Sequence, residues 1–374
     1  MKRRIAALIL CAVTAISLLA SGCGSKDNTA GNTNTKGSAD AETESNKGDD
    51  SAAGEVYEIT YANLGSAGGP MDRSAEKMQE LLDELSMEKL GYKAFKINIY
   101  PGGQLGASDE EDFELVMSGQ IQYSYCPGNV LAAKVPEAVA LNAVNLPYLF
   151  PSDDAFYEFA NSDFIAEQLD IVKEKTGVRV TEPWILGWVW VSSNKNEIHV
   201  PSDIKGQKIR CLVSEIWTTT MSAYGCSPTP IVYSEVYTAL QQGTVDGIVA
   251  GTASYQDGRF YEVLDYISDA SGLLNEEYPI WNQAWIDSLP DDVKAVLEEA
   301  IAQDQQIRRE VFDADNETVV GTIEDSGTVL TFITDEERAE WETIAKAQYE
   351  KMADICGGME NIEAIQNWLS ENGY

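Results

Sequence analysis

Histidine is nearly missing from this sequence and cations are scarce: there is one His in 374 residues, and 26 Lys and Arg face 61 Asp and Glu. One imidazole cannot supply the His cluster of a catalytic zinc site or a His-based proton relay. A formal charge of −35 repels phosphate backbones, whose binding depends on clustered Lys and Arg, so nucleic acid is excluded as a partner. P-loop, GxGxxG and GxSxG patterns are also missing, which removes the common nucleotide sites and the nucleophile elbow. The acidic runs GDD (48–50) and DEED (109–112) read as linker and helix-cap charge rather than metal ligands. No cofactor, metal or catalytic residue is expected, and the chain reads as a non-enzyme. What is present, 44% hydrophobic and 9% aromatic residues, is the composition of a globular protein of roughly two domains.

No apolar run is long enough for a spanning helix, which needs about 20 residues. The longest begins the chain: Lys2, Arg3 and Arg4 precede an apolar stretch from Ile5 to about Ala20, followed by Ser21-Gly22-Cys23. This is the pattern of an export signal, residues 1–22. Its end resembles a bacterial lipobox, with Leu19 displaced by one position, so Cys23 is expected to carry a diacylglycerol that tethers the protein to the membrane. Residues 23–54 then lack aromatics and nearly all apolar side chains except Ala. Such a segment cannot offset its ordering entropy and reads as a flexible linker with an average reach of roughly 30 Å. Removal of residues 1–22 takes away three cations and no acid, which leaves 23 Lys and Arg against 61 Asp and Glu and a net charge of −38. Beyond Cys23 the cysteines are Cys126, Cys211, Cys226 and Cys356, for which three complete pairings exist alongside free thiols.

From Glu55 onward, strand and helix patterns alternate. Tyr57–Leu64 reads as a strand, Pro70 opens a helix with Met71, Ala75, Met78, Leu82 and Leu85 on one face, and Phe95–Tyr100 is the next strand. Ser108 and Glu111 form a capping-box pattern for a helix ending at Gly119. The second half repeats the alternation: strand 207–213, helix from Ser214, strand 229–233, helix from Ser234 and strand 244–251. Pro290 then opens an apolar-striped helix of about thirty residues, roughly 45 Å, which is longer than one lobe requires. These features predict an α/β fold with largely parallel sheets, in two lobes crossed by one long helix.

Three segments carry a family resemblance: YPGGQLGASDEEDFELVMSGQI (100–121), PSDIKGQKIR (201–210) and GCSPTPIVYSEVYTALQQGTVDG (225–247). They resemble the DctP-type solute-binding proteins of tripartite ATP-independent periplasmic (TRAP) transporters, over essentially Tyr57 to Trp368. The resemblance implies a two-lobed periplasmic-binding-protein-like fold with a central cleft. It also implies capture of a small organic acid and its delivery to a membrane permease. The expected division is 55–186 plus about 276–315 for lobe I, and 187–275 plus about 316–374 for lobe II.

The same resemblance places Arg210, within KIR, as the carboxylate-binding residue. Chemistry agrees: a guanidinium fork matches a carboxylate bidentately, and ligands of α/β sheets bind at strand carboxyl ends. Asn63 matches a position that faces the ligand in some members, and Tyr233 matches an aromatic that stacks over it. Where many members read DGQENP, this chain reads DGIVAG (246–251), so Ala250 stands at the Asn position. Where some members carry a second Arg after a Gly, this chain has Gly187-Trp188. Loss of the second clamp favours a ligand with one carboxylate and an apolar or aromatic body over a C4-dicarboxylate or sugar acid. Trp188 and Trp217 are the Trp residues expected at that body. A sensor lipoprotein of the same fold is the competing role.

Overall fold

The computed structural model describes residues 54–374. The expected export signal, Cys23 and the linker up to residue 53 lie outside the described residues. Among the described residues eleven strands form one continuous sheet whose two halves share the long strands Trp184–Ser193 and Leu274–Asn282. β1 (Tyr57–Ala62), β2 (Phe95–Tyr100), β3 (Tyr123–Cys126) and β4 (Val178–Val180) belong to the first half. β5 (Trp184–Ser193), β6 (Lys208–Cys211), β7 (Ser227–Pro230), β8 (Gly247–Gly251) and β9 (Tyr266–Ser268) follow, then β10 (Leu274–Asn282) and β11 (Val329–Thr331).

In the first lobe β2, β1 and β3 are parallel, and β10 runs antiparallel between β3 and β4. In the second, β7, β6 and β8 are parallel, with β5 antiparallel to β8 and β9. Two long strands join the halves. β5 pairs with β10 at its start and with β8 farther along, and β10 returns to β3 in the first lobe. At the crossing Gly187 has φ +117°, and a Cβ there would lie 2.0 Å from Thr252 Oγ1. Gly187→Ala is therefore expected to cost on the order of 1–3 kcal/mol through backbone strain and clash. Urea unfolding would show this as a lower midpoint, and an unchanged midpoint would contradict it.

Local signals act as the sequence predicts. The helix Pro70–Lys89 has Pro at its start, Asp72 in its first turn, and Met71, Ala75, Met78, Leu82 and Leu85 buried. The helix Asp109–Ser118 takes a Ser108 side-chain cap from Glu111 N–H and stops at Gly119 in the left-handed region, φ 77°. The Glu111 carboxylate accepts from the Ala107 N–H at 2.8 Å, so the reciprocal arm of the box falls one residue upstream of Ser108.

The long helix differs from expectation in where it breaks. The chain forms Asp291–Ile301, turns at Ala302 and Gln303, and forms Asp304–Ser326, which passes Gly321 and ends at Gly327 with φ 87°. Its 23 residues extend roughly 35 Å. The break brings Asp304 and Arg308 inward, where both are fully buried. Tyr123 donates to Asp304 Oδ2 at 2.7 Å, Arg308 Nε donates to Asp304 Oδ1 at 3.1 Å, and Arg308 also bonds the Tyr123 hydroxyl. The Arg308 guanidinium lies 4.3 Å from the Trp184 ring centroid. This cluster fixes one end of the helix to the first lobe. At the other end Val319 and Ile323 join Val236, Leu240, Tyr255 and Phe260 in the second lobe's core. One helix thus serves both lobes.

The C-terminal segment also ties back to both halves: Trp341 Nε1 donates to His199 O at 2.9 Å, and the Tyr349 hydroxyl donates to Pro147 O at 2.7 Å. Cys126, Cys211, Cys226 and Cys356 are buried free thiols, so none of the three pairings forms among them. No described helix is long and apolar enough to cross a membrane.

Candidate functional site

Arg210 is the third of the four residues of β6, between Thr229 of β7 and Ile248 of β8. A parallel sheet presents its strand ends to the segment preceding the next helix, here Glu215–Ala223. The side chain is 3% exposed, and its Nε donates to Ile231 O at 2.9 Å. That bond aims the guanidinium while leaving its terminal nitrogens for another partner. Among the described residues no carboxylate lies within 4 Å of it. Burial pulls its pKa down to about 10, so it stays cationic at neutral pH.

The guanidinium borders a cavity of about 60 Å³ between the lobes. The first lobe contributes Leu64, Met71, Asp109 and Tyr125; the crossing strands give Leu186, Asn275 and Glu277; the long helix gives Phe312. The second lobe contributes Arg210, Leu212, Tyr233, Ala250 and Asp257. A neighbouring void of about 30 Å³ shares Leu64, Asp109, Arg210, Leu212 and Tyr233. The lobes are drawn together around this space. Ser66 N–H donates to both Asp257 oxygens at 3.2 Å, and the Ser66 hydroxyl donates to Asp257 O at 2.8 Å. The Tyr233 hydroxyl donates to Asp257 Oδ2 at 2.8 Å, and Asn129 Nδ2 reaches Val213 O at 3.0 Å.

The structure brings together three of the residues singled out from sequence, Arg210, Tyr233 and Ala250, and separates three others. Asn63 is buried beneath the Pro70–Lys89 helix, where its Nδ2 donates to Asp72 Oδ1 at 2.9 Å, and Leu64 and Gly65 border the cavity instead. Trp217 turns into the core with Ile216 and Met221 and donates to Asn145 Oδ1 at 3.3 Å. Trp188 follows Gly187, whose positive φ breaks strand alternation, and it borders a separate surface groove while donating to Asp153 Oδ1 at 2.6 Å. Helix starts also differ. Ser234 lies within the short turn Tyr233–Glu235 rather than at a helix cap.

Three cavity acids were missed: Asp109, Asp257 and Glu277. The DEED run was absorbed into helix capping, which accounts for Asp109. Glu277 stands out only with the structure, where β10, reading LNEEYPIWN, is buried along its whole length. Polar residues in a wholly buried strand contradict local preference, and such conflicts concentrate at functional positions. Burial, reinforced by Asp109 and Glu276, drives the Glu277 carboxyl well above the usual carboxylate range. Its Oε2 is buried without a hydrogen-bond partner among the described residues. Asp109 is pushed up to about 7 by enclosure and by Glu110, against the opposing pull of Arg210. Its side chain is half-buried and keeps contact with water, which screens part of this rise.

These shifts set a pH dependence of stability. Asp112 and Glu276 are likewise pushed up to about 7, chiefly by burial. Folded values above unfolded ones mean the folded state binds more protons between about pH 4 and 7. The stability these groups contribute is present at low pH and lost as pH rises through about 7. The unliganded protein is expected to melt higher at pH 5.5 than at pH 8.5 in calorimetry; the opposite order would contradict these assignments.

Comparison with known proteins bears on this geometry. Residues 61–354 match the family model described as bacterial extracellular solute-binding protein, family 7, DctP. The C4-dicarboxylate-binding periplasmic protein DctP of Rhodobacter capsulatus is 28% identical over 326 residues, covering 86% of this chain and 93% of that protein. The sugar acid binding protein DctPAm of Advenella mimigardefordensis, solved with galactonate, superposes with TM-score 0.77 at 21% identity, covering 85% of this chain and 99% of that one. A TRAP periplasmic solute binding protein of Sulfurospirillum deleyianum with bound succinate gives TM-score 0.75 at 24% identity, covering 83% and 99%.

Proposed function

Since the chain belongs to bacterial extracellular solute-binding protein family 7, the DctP family of TRAP transport systems, we propose that its cleft captures a small organic acid with one carboxylate and an apolar body. The family works outside the cytoplasm and binds rather than transforms its solutes. The observation that carries the proposal is Arg210: a buried guanidinium aimed by Ile231 O and, among the described residues, lacking a carboxylate partner. A desolvated cation without a partner is costly, and a ligand carboxylate offsets that cost through two charge-assisted bonds. Tyr233, Leu186, Leu212 and Phe312 form the apolar enclosure, and Ala250 presents a methyl group where an amide would make a further polar contact.

A C4-dicarboxylate is the second reading, favoured by the Rhodobacter relative and the succinate-bound neighbour. Against it, Arg210 is the one cation among the described residues that border the cavity, beside three acids. The proposal extends to the whole molecule. Cys23 carries the lipid anchor, residues 23–54 form the linker, the two lobes divide near the β5 and β10 crossings, and the loaded protein presents its ligand to a TRAP permease. A thermal-shift screen of mono- and dicarboxylates, sugar acids, keto acids and aromatic acids tests the ligand class. Monocarboxylates with apolar bodies are expected to raise the melting temperature most; preferential stabilisation by succinate or galactonate would overturn that specificity.

A further inference from the structure

Arg210 and Glu277 border the same small cavity, and each is unpaired. No carboxylate lies within 4 Å of Arg210 and no cation within 4 Å of Glu277 among the described residues. Glu277 is 5% exposed, and its Oε2 has no hydrogen-bond partner. Of the other two acids, Asp257 is already engaged by Ser66 and Tyr233. Asp109 keeps part of its surface in water. The cavity thus offers one buried cation and one buried acid with free valence, set among Leu186, Leu212 and Phe312.

We propose that the ligand is a zwitterion, a small amine-bearing carboxylic acid with an apolar side chain, whose carboxylate meets Arg210 and whose ammonium meets Glu277. This rests on the organic-acid function proposed above and narrows it. A simple monocarboxylate would satisfy Arg210 and leave Glu277 Oε2 buried with an unmet acceptor, a cost that specific sites avoid. A dicarboxylate would bring a second anion into a lining that already has three acids. An ammonium supplies the missing donor and favours ionisation of Glu277 as it binds, so that each charge of the ligand meets its opposite.

The test is calorimetry on the full folded protein with three matched pairs: L-leucine and 4-methylpentanoate, L-phenylalanine and 3-phenylpropanoate, 4-aminobutyrate and butyrate. At least one amine-bearing member is expected to bind roughly tenfold to a hundredfold tighter than its partner, the range for a hydrogen bond to a charged group. In Glu277→Gln the ratio of the two affinities should fall toward one, and Arg210→Ala should weaken both. A second readout needs no variant. Burial holds Glu277 toward its neutral form, so an arriving ammonium should release a proton, seen as a binding enthalpy that changes with buffer ionisation heat. Tighter binding of the amine-free acids in an Arg210-dependent way, or an amine preference untouched by Glu277→Gln, would overturn the zwitterion and leave the organic-acid function standing. Loss of Arg210 dependence for every acid would overturn the function beneath it.

Discussion

Arg210→Ala is expected to weaken binding of the cleft ligand by about 2–5 kcal/mol, a loss of thirtyfold or more. The magnitude follows from burial. Arg210 is 3% exposed, so a carboxylate that reaches it has shed its water and has no substitute donor when the guanidinium is gone. Ile231 O loses its donor as well, which adds a local cost in the empty protein. Arg210→Lys should recover only part of the loss, because an ammonium on a flexible stem cannot reproduce the planar fork. Calorimetry with the best stabilising acid from the thermal-shift screen reads both variants. Wild-type affinity in Arg210→Ala would remove Arg210 from the site.

Asp304→Ala should destabilise the fold by on the order of 3–5 kcal/mol, because it strands a buried Arg. Arg308 is fully enclosed against Trp184, Tyr123 and Tyr61, with Asp304 as its one ionic partner among the described residues. The Tyr123 hydroxyl would lose its acceptor in the same substitution. Replacing both charges, Asp304→Leu with Arg308→Met, should cost less than Asp304→Ala alone, since no unpaired charge remains. Urea midpoints decide the matter: a midpoint for Asp304→Ala equal to wild type would contradict the role given to this cluster. Because the cluster secures the long helix to the first lobe, ligand affinity should fall along with stability.

The alternation of apolar patterns in the first lobe made β1, β2 and their intervening helix legible, since local propensity and burial agree there. Arg210 is marked by the family resemblance of its KIR segment, since a strand-end cation beside Lys208 reads on its own as ordinary surface charge. The break at Ala302–Gln303 was not legible. A helical stripe through Ile307 and Val311 looked continuous, and nothing local indicates that Asp304 and Arg308 would be the buried residues. Their partner Tyr123 lies 181 residues away from Asp304. Aromatic residues misled for a related reason. Trp188 and Trp217 lie close to cleft segments in sequence, but the positive φ of Gly187 and the buried face of the Glu215–Ala223 helix send them elsewhere. Glu277 became visible only once β10 was known to be enclosed on all sides.

The charge of −38 expected for the exported chain does not oppose anion capture. At physiological salt, exposed charges are screened within about 8 Å, whereas the Arg210 contact forms in an enclosed cavity. The local balance in that cavity decides what binds.

The most direct test is a crystal structure of the protein grown with the acid that stabilises it most in the thermal-shift screen. The ligand carboxylate is expected to sit on the Arg210 guanidinium with two nitrogen–oxygen contacts near 2.8 Å, typical of a charge-assisted pair, and its apolar part against Leu186, Leu212 and Phe312. A ligand seated between the lobes with its carboxylate away from Arg210, or seated outside this cavity altogether, would contradict the proposed site.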